Sequence, residues 1–251
     1  MNTRIDTVEF AAPDFDFSKG SRPRISATSL LRLIASEVGA RTPRSVLTRL
    51  ESIIVHLHTA RWTRENGYSP RIRVPTREDV IKRIAESIAE EEVLYLEFGV
   101  YKGESIRAWS RLLKNSASRL HGFDSFEGLP EDWTAGKKKG HFSTQGVLPG
   151  VSDPRIAFYP GWFDQTLPIY KFVDSPVLVI YLDADIYSST IYVLETLRPY
   201  IKVGTILCLD DFWDPRNVQR AFKEFVAETG MKFEAIVADY WLNNIAFRRV
   251  K

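Results

Sequence analysis

One cysteine, two methionines and four histidines are all the soft and imidazole ligands in this 251-residue chain, and the scarcity excludes whole classes of chemistry. A lone cysteine closes no intrachain disulfide and builds no thiolate metal cluster. Cys208 sits inside the apolar run TILCL, where it reads as a small buried hydrophobe rather than a nucleophile. No apolar stretch is long enough to span a bilayer. The amino terminus carries no secretory signal pattern, so no membrane partner and a cytoplasmic location are expected. Charge of one sign is lacking too: net charge is +2 with acids and bases interspersed, which predicts no nucleic-acid partner. Neither G-x-G-x-x-G nor a G-K-[ST] phosphate loop occurs, and there is no internal repeat.

What the chain does have is acids where apolar runs stop. In LEFGVYKGESI (96–106), strand residues Val93, Leu94 and Leu96 lead into Glu97. Gly99 and Gly103 then let the backbone turn and approach a ligand before a helix at 105–113. A carboxylate in such a turn repels phosphate and favours a cation, a demand that the sulfonium and ammonium of S-adenosylmethionine meet. An ordinary strand-to-helix turn has the same look when taken alone. A second short strand, 119–123, ends in Asp124 of HGFDSFEGLP. From that position nucleoside-binding sheets accept a ribose hydroxyl, and it also suits a turn cap. Residues 156–159 read as a third strand, and Trp162 just beyond it offers either a stacking face for adenine or a packing face for a neighbouring helix.

Two further runs, VLVIYLDADIYSST (177–190) and TILCLDDFWD (205–214), open as continuous apolar segments, the pattern of central parallel strands buried on both faces. Each ends in a pair of acids, so Asp183, Asp185, Asp210 and Asp211 converge at one sheet edge. Like charges packed this closely are costly unless a cation or shared protons offset them. Oxygen donors point to Mg²⁺, Ca²⁺ or Mn²⁺ rather than zinc, with helix capping as the competing role for some of the four.

The blocks LEFGVYKGESI, FDSFEGLPE, PGWFDQTLP, LDADIYSST and LDDFW, in this order from about residue 92 onward, resemble the macrocin O-methyltransferase (TylF-type) family of class I S-adenosylmethionine-dependent methyltransferases. The resemblance implies a Rossmann-like, doubly wound α/β fold. Its seven-stranded sheet is mostly parallel, with a carboxy-terminal antiparallel hairpin and added amino-terminal helices. It implies that Glu97, Phe98, Gly99, Ser105 and Ile106 line the methionine side of the cofactor and that Asp124 and Ser125 hold its ribose. It also implies Mg²⁺, or another hard divalent cation, on Asp183, Asp210 and Asp211, with Asp183 as general base and a further cofactor contact. Members of known activity methylate sugar hydroxyls of macrolide and aminocoumarin antibiotics with Mg²⁺ assistance. The partner implied is a small-molecule hydroxyl acceptor, whose identity is not inherited with the chemistry. Methyl transfer from a sulfonium is in-line displacement, so metal-held neighbouring oxygens would favour a sugar, vicinal diol or catechol.

With 44% hydrophobic residues the chain can bury one sizeable core. The expected organisation is a poorly ordered arm at 1–26, a helical extension or substrate cap at 27–91, and the methyltransferase domain at 92–251. Helices are expected at 27–38, 45–64 and 77–91, with His56 and His58 as a partly buried helix end and Arg61, Trp62 and Tyr68 at a substrate mouth. Residues 131–154 read as an irregular, lid-like loop, with Lys137, Lys138 and Lys139 as a solvated tip and His141 as a base only if the loop folds inward. Three rivals remain. One is a nucleotide-sugar glycosyltransferase holding a metal on Asp183 and Asp185. Another, an aspartyl phosphatase, would need its D-x-D motif early in the chain. The third is a catalytically silent cofactor-binding protein. Homo-oligomerisation stays open.

Overall fold

The computed structural model describes residues 26–134 and 136–251; apart from Ser26, the arm expected at 1–26 lies outside them. By contact the chain divides into two units at Arg49/Leu50. The first contains helix α1 (Ala27–Arg41), whose N-cap Ser26 accepts the Ser29 amide, and the opening of α2 (Arg44–Glu65).

The second unit is built on one sheet. Its strands are β1 (Ile72–Val74), β2 (Val93–Phe98), β3 (Arg119–Asp124), β4 (Ile156–Pro160), β5 (Val177–Leu182), β6 (Ile206–Leu209), β7 (Phe233–Asp239) and β8 (Ile245–Arg249). They lie in the order β1-β7-β8-β6-β5-β2-β3-β4. Every pairing is parallel except the two made by β8, which runs antiparallel to β6 and β7. The doubly wound, mostly parallel sheet with its carboxy-terminal hairpin is therefore present. It has eight strands rather than seven, because Ile72–Val74, between the second and third helices expected in the amino-terminal extension, pairs with Val237–Asp239. Three residues of alternating partial burial are too short to show a period of two against flanking helices.

Helices cover both faces. α3 (Arg77–Ser87) and α4 (Glu104–Leu112) lie on one; α6 (Tyr187–Leu197) and α7 (Val218–Thr229) lie on the other, while the short α5 (Phe163–Thr166) follows β4. α3 starts where Thr76 and Asp79 form a reciprocal capping box, and it buries Val80, Ile81, Ile84 and Ala85 as one stripe. Strand alternation assigns the faces. Leu94, Leu96 and Phe98 join the α6–α7 core, whereas Val93 and Tyr95 join the α3–α4 core with Trp109. Each such wholly buried side chain contributes about 1.5–3 kcal/mol relative to exposure. Cys208 is buried and unpaired, and burial pushes its thiol pKa up, as expected of an inert core residue. Among the described residues no helix is long and apolar enough to cross a membrane.

Candidate active site

The carboxyl ends of β2, β3, β5 and β6 surround a cavity of about 860 Å³, a size that suits a nucleoside cofactor with part of an acceptor. It opens at the topological switch point, where β2 sends its chain to β3 on one side and pairs with β5 on the other. The β2–α4 turn depends on Gly99. Its φ is +93°, and a Cβ there would lie 1.8 Å from the Asp183 carbonyl oxygen, which is backbone and cannot move aside. Bonds from Gly99 N to the Phe123 carbonyl (3.0 Å) and from Asp183 N to the Phe98 carbonyl (2.9 Å) extend the ladder past the strand ends.

Asp124 serves its turns as well as the cavity. One carboxylate oxygen accepts the amides of Val100 and Tyr101, both at 2.8 Å, and the other accepts Phe126 at 2.7 Å. Asp124 nonetheless lines the cavity, as do Gly99, Ser105, Ser125 and Trp162.

Three residues expected on the cofactor wall are not on it. Phe98 is wholly buried, stacked on Phe123 at 4.8 Å with Phe163 against its face at 5.4 Å. Ile106 is wholly buried in the α3–α4 core. Glu97 is wholly buried one layer below the surface of the cavity, where it accepts Ser105 Oγ at 2.6 Å and the Tyr95 hydroxyl. Burial pushes its pKa up to about 7 even though both donors work to lower it. Ile106 lies on the buried face of α4; for Glu97 and Phe98 the reason is the two-residue period of β2. In a strand covered on both faces, every side chain before the last turn enters one core or the other.

The four aspartates do meet at the cavity, and they differ. Asp183 and Asp210 are bridged by Arg77 Nη1, at 3.2 and 3.0 Å. Burial works against the Arg77 charge, but Tyr181, Asp210 and Asp183 outweigh it and raise its pKa. Asp185 and Asp211 both adopt left-handed backbone, φ +61° and +50°, and face each other. Burial and then the Asp211 charge push Asp185 up to about 8; burial and the Asp210 charge raise Asp211, whose carboxylate accepts Trp213 Nε1 at 3.0 Å. Asp183 is also raised well above the ordinary range, by burial and by the charges of Asp210 and Asp185.

Two cationic roles escaped the sequence reading. Arg77 is one. Lys137 is the other: its ammonium lies 4.0 Å from the Trp133 ring centroid and 4.9 Å from that of Phe142, lines the cavity, and acts to lower the pKa of Asp185 and Asp211. The lysine run is thus not wholly a solvated tip, although Lys138 is, paired with Asp132 at 2.9 Å. His141 is exposed and does not line the cavity. Nor do Arg61, Trp62 or Tyr68: Arg61 bonds Glu65 at 2.7 Å, and Trp62 and Tyr68 pack together beside Phe212 and Phe222. His58 lies away from the cavity as well, and His56 lies parallel to Trp213 at 5.9 Å.

Hard oxygen donors are the right type for Mg²⁺. Yet among the described residues no three acids converge on one point, and Arg77 occupies the inner pair. As arranged, with Arg77 Nη1 on both Asp183 and Asp210, the three acids expected to hold a divalent ion form no such cluster.

The model of the macrocin-O-methyltransferase (TylF) family matches residues 72–249, from the first residue of β1 to the last of β8. The chain belongs to this family. The Streptomyces olivaceus 8-demethyl-8-(2,3-dimethoxy-alpha-L-rhamnosyl)-tetracenomycin-C 4'-O-methyltransferase is 33% identical over 137 residues, 47% of this chain and 52% of that relative. Demethyldecarbamoylnovobiocin O-methyltransferase of Streptomyces niveus is 31% identical over 139 residues, with the same coverage of 47% and 52%. The chain therefore spans about half the length of the curated relatives it matches. The O-methyltransferase NovP superimposes with a TM-score of 0.53 at 26% identity, covering 70% of this chain and 80% of that one. Calicheamicin methyltransferase CalS11 shares the fold at a TM-score of 0.51 and 19% identity, covering 93% of this chain and 99% of that structure.

Proposed function

We propose that this TylF-family protein transfers the methyl group of S-adenosylmethionine to a hydroxyl of a small molecule, with a sugar moiety of a natural product as the acceptor class. The carrying observation is one cavity lined by both a ribose-type acceptor, Asp124, at the end of β3 and a base-type carboxylate, Asp183, just past the end of β5. The acceptor class rests on two relatives whose names specify rhamnosyl-tetracenomycin and novobiocin substrates.

The chain's own part in the reaction is alignment and proton removal. Asp124 and Ser125 take the ribose hydroxyls, Trp162 offers a face to adenine, and the turn at Gly99 seats the methionine end. The methyl carbon then points at the acceptor oxygen, and a well-oriented pair gains several kcal/mol over a free encounter. Asp183, held as a carboxylate against Arg77 Nη1 at 3.2 Å, accepts the hydroxyl proton as the oxygen attacks. No step here runs through a metal. In a nucleotide-sugar glycosyltransferase Asp183 and Asp185 would grip one cation together; here Asp183 faces Arg77 and Asp185 faces Asp211.

Calorimetric titration with S-adenosylmethionine and with its demethylated product tests the cofactor. Both should bind, and Asp124→Ala should weaken them by about 1.5–3 kcal/mol, the range for lost charge-assisted hydrogen bonds. Unchanged affinity in that variant removes the ribose assignment. Incubation with hydroxyl-bearing sugar conjugates, read by mass shift, tests the acceptor class.

A further inference from the structure

S-adenosylmethionine ends in a zwitterion, and the protein must answer both charges. Gly99, Ser105 and Asp183 meet at the methionine end of the cavity, and Asp183 is a fitting partner for the ammonium. Among the turn residues Lys102 is the one cation on the cavity wall, and its ammonium lies over the Tyr101 ring. Glu97 is itself an acid beneath Ser105, and Phe98 and Ile106 are sealed in the core. The end of the cavity that must receive an anion thus has acids on and beneath its wall, with Lys102 and Arg77 as the cations nearby.

Arg77 resolves this. It is the first residue of α3, its backbone fixed by the Thr76–Asp79 capping box, and its side chain reaches the cavity with 30% exposure. Only Nη1 is engaged, by Asp183 and Asp210, so Nε and Nη2 have no hydrogen-bond partner among the described residues. A guanidinium carries five N–H donors in a planar fork matched to a carboxylate. Its charge also reaches Glu97, the acceptor of the Ser105 hydroxyl, so Arg77 and Ser105 serve the same end of the cavity. Lys102, the other cation beside the turn, extends over the Tyr101 ring, 5.1 Å from its centroid.

We propose that Arg77 binds the carboxylate of the cofactor's methionine moiety with its remaining donors, while its Nη1 bridge to Asp183 and Asp210 holds it in place. The inference rests on the cofactor reading above. Ammonium and carboxylate are then read by neighbours already joined to each other, Asp183 and Arg77, which fixes the end of the cofactor opposite the ribose.

Decarboxylated S-adenosylmethionine keeps the sulfonium and amine and lacks only the carboxylate, so the pair of ligands isolates one contact. Calorimetry on the full chain should show wild type binding S-adenosylmethionine at least tenfold tighter than the decarboxylated form. Arg77→Gln should lose ten- to a hundredfold for S-adenosylmethionine and little for the decarboxylated ligand, with Arg77→Lys in between. Equal loss for both ligands in Arg77→Gln would mean that arginine acts only through Asp183, and the proposal fails. It fails equally if wild type does not distinguish the two, or if Lys102→Gln abolishes the distinction and Arg77→Gln does not. A wild type that binds neither ligand overturns the cofactor reading itself. Melting curves check the fold, and if Arg77→Gln does not fold, Arg77→Lys decides: undiminished discrimination there shows the fork is not used.

Discussion

Glu97 shows how a residue marked by its position in a motif takes a role that the motif does not spell out. Its carboxyl is completely buried between Tyr95 and Ser105, and burial raises its pKa from 4.5 to about 7. The folded state therefore holds this proton more tightly than the unfolded chain does. The stabilisation is fully present below about pH 4.5 and is lost as pH rises through about 7. Glu97→Gln removes that slope. The unfolding free energy of the variant relative to wild type should then shift in the variant's favour by up to about 3 kcal/mol between pH 4.5 and 8. Denaturant titrations at both ends of that range check it, and a pH-independent difference would mean that Glu97 stays ionised. Among single residues, Asp124, Gly99, Asp183, Asp210 and Asp211 were legible because each stands where an apolar run ends and a turn begins. Arg77 was not: it lies 106 and 133 positions from its two acid partners, and nothing local in a helix start tells where an arginine will reach.

The elements divide in the same way. β2 and β5 are long apolar runs buried on both faces and announce themselves, whereas β1 has three half-exposed residues and needs β7 to become a strand. The loop after β3 is the instructive case. Its glycines and lysines signalled an irregular segment, but its placement comes from long-range contacts. Trp133 Nε1 donates to buried Asp214 at 3.3 Å, and Ser188 Oγ donates to Glu131 at 2.8 Å. Those two bonds tie the loop to the elements that follow β5 and β6, and they set Lys137 opposite Asp185 and Asp211. Trp133→Ala removes one tie and the ring beneath Lys137, worth about 1 kcal/mol each. The expected result is several-fold faster tryptic cleavage at Lys138 or Lys139, with the melting temperature of the sheet domain little changed. Cleavage at the wild-type rate would show that the loop is held by other means.

At the scale of the whole molecule the sheet order itself gathers four acids from two strand ends into one cavity, and the chain answers with cations from elsewhere, among them Arg77 of α3 and Lys137 of the loop. Arg77 supplies the inner pair, Asp183 and Asp210, with the positive charge that the spacing of the acids had suggested a metal would bring. Any divalent ion seated on those two carboxylates has to displace a guanidinium already bonded to both. Charge-assisted bonds of this kind hold about 1.5–3 kcal/mol. Replacing Arg77 with glutamine should therefore raise Mn²⁺ affinity ten- to a hundredfold over wild type, measured by the loss of the free-ion resonance in electron paramagnetic spectra without cofactor or acceptor present. Adding Asp210→Asn to that variant should cancel the gain, because it removes one of the two carboxylates the ion would use. If wild type and Arg77→Gln take up Mn²⁺ with equal affinity, the arginine does not compete for the acids, and the cation balance drawn from the arrangement of β5, β6 and α3 is wrong.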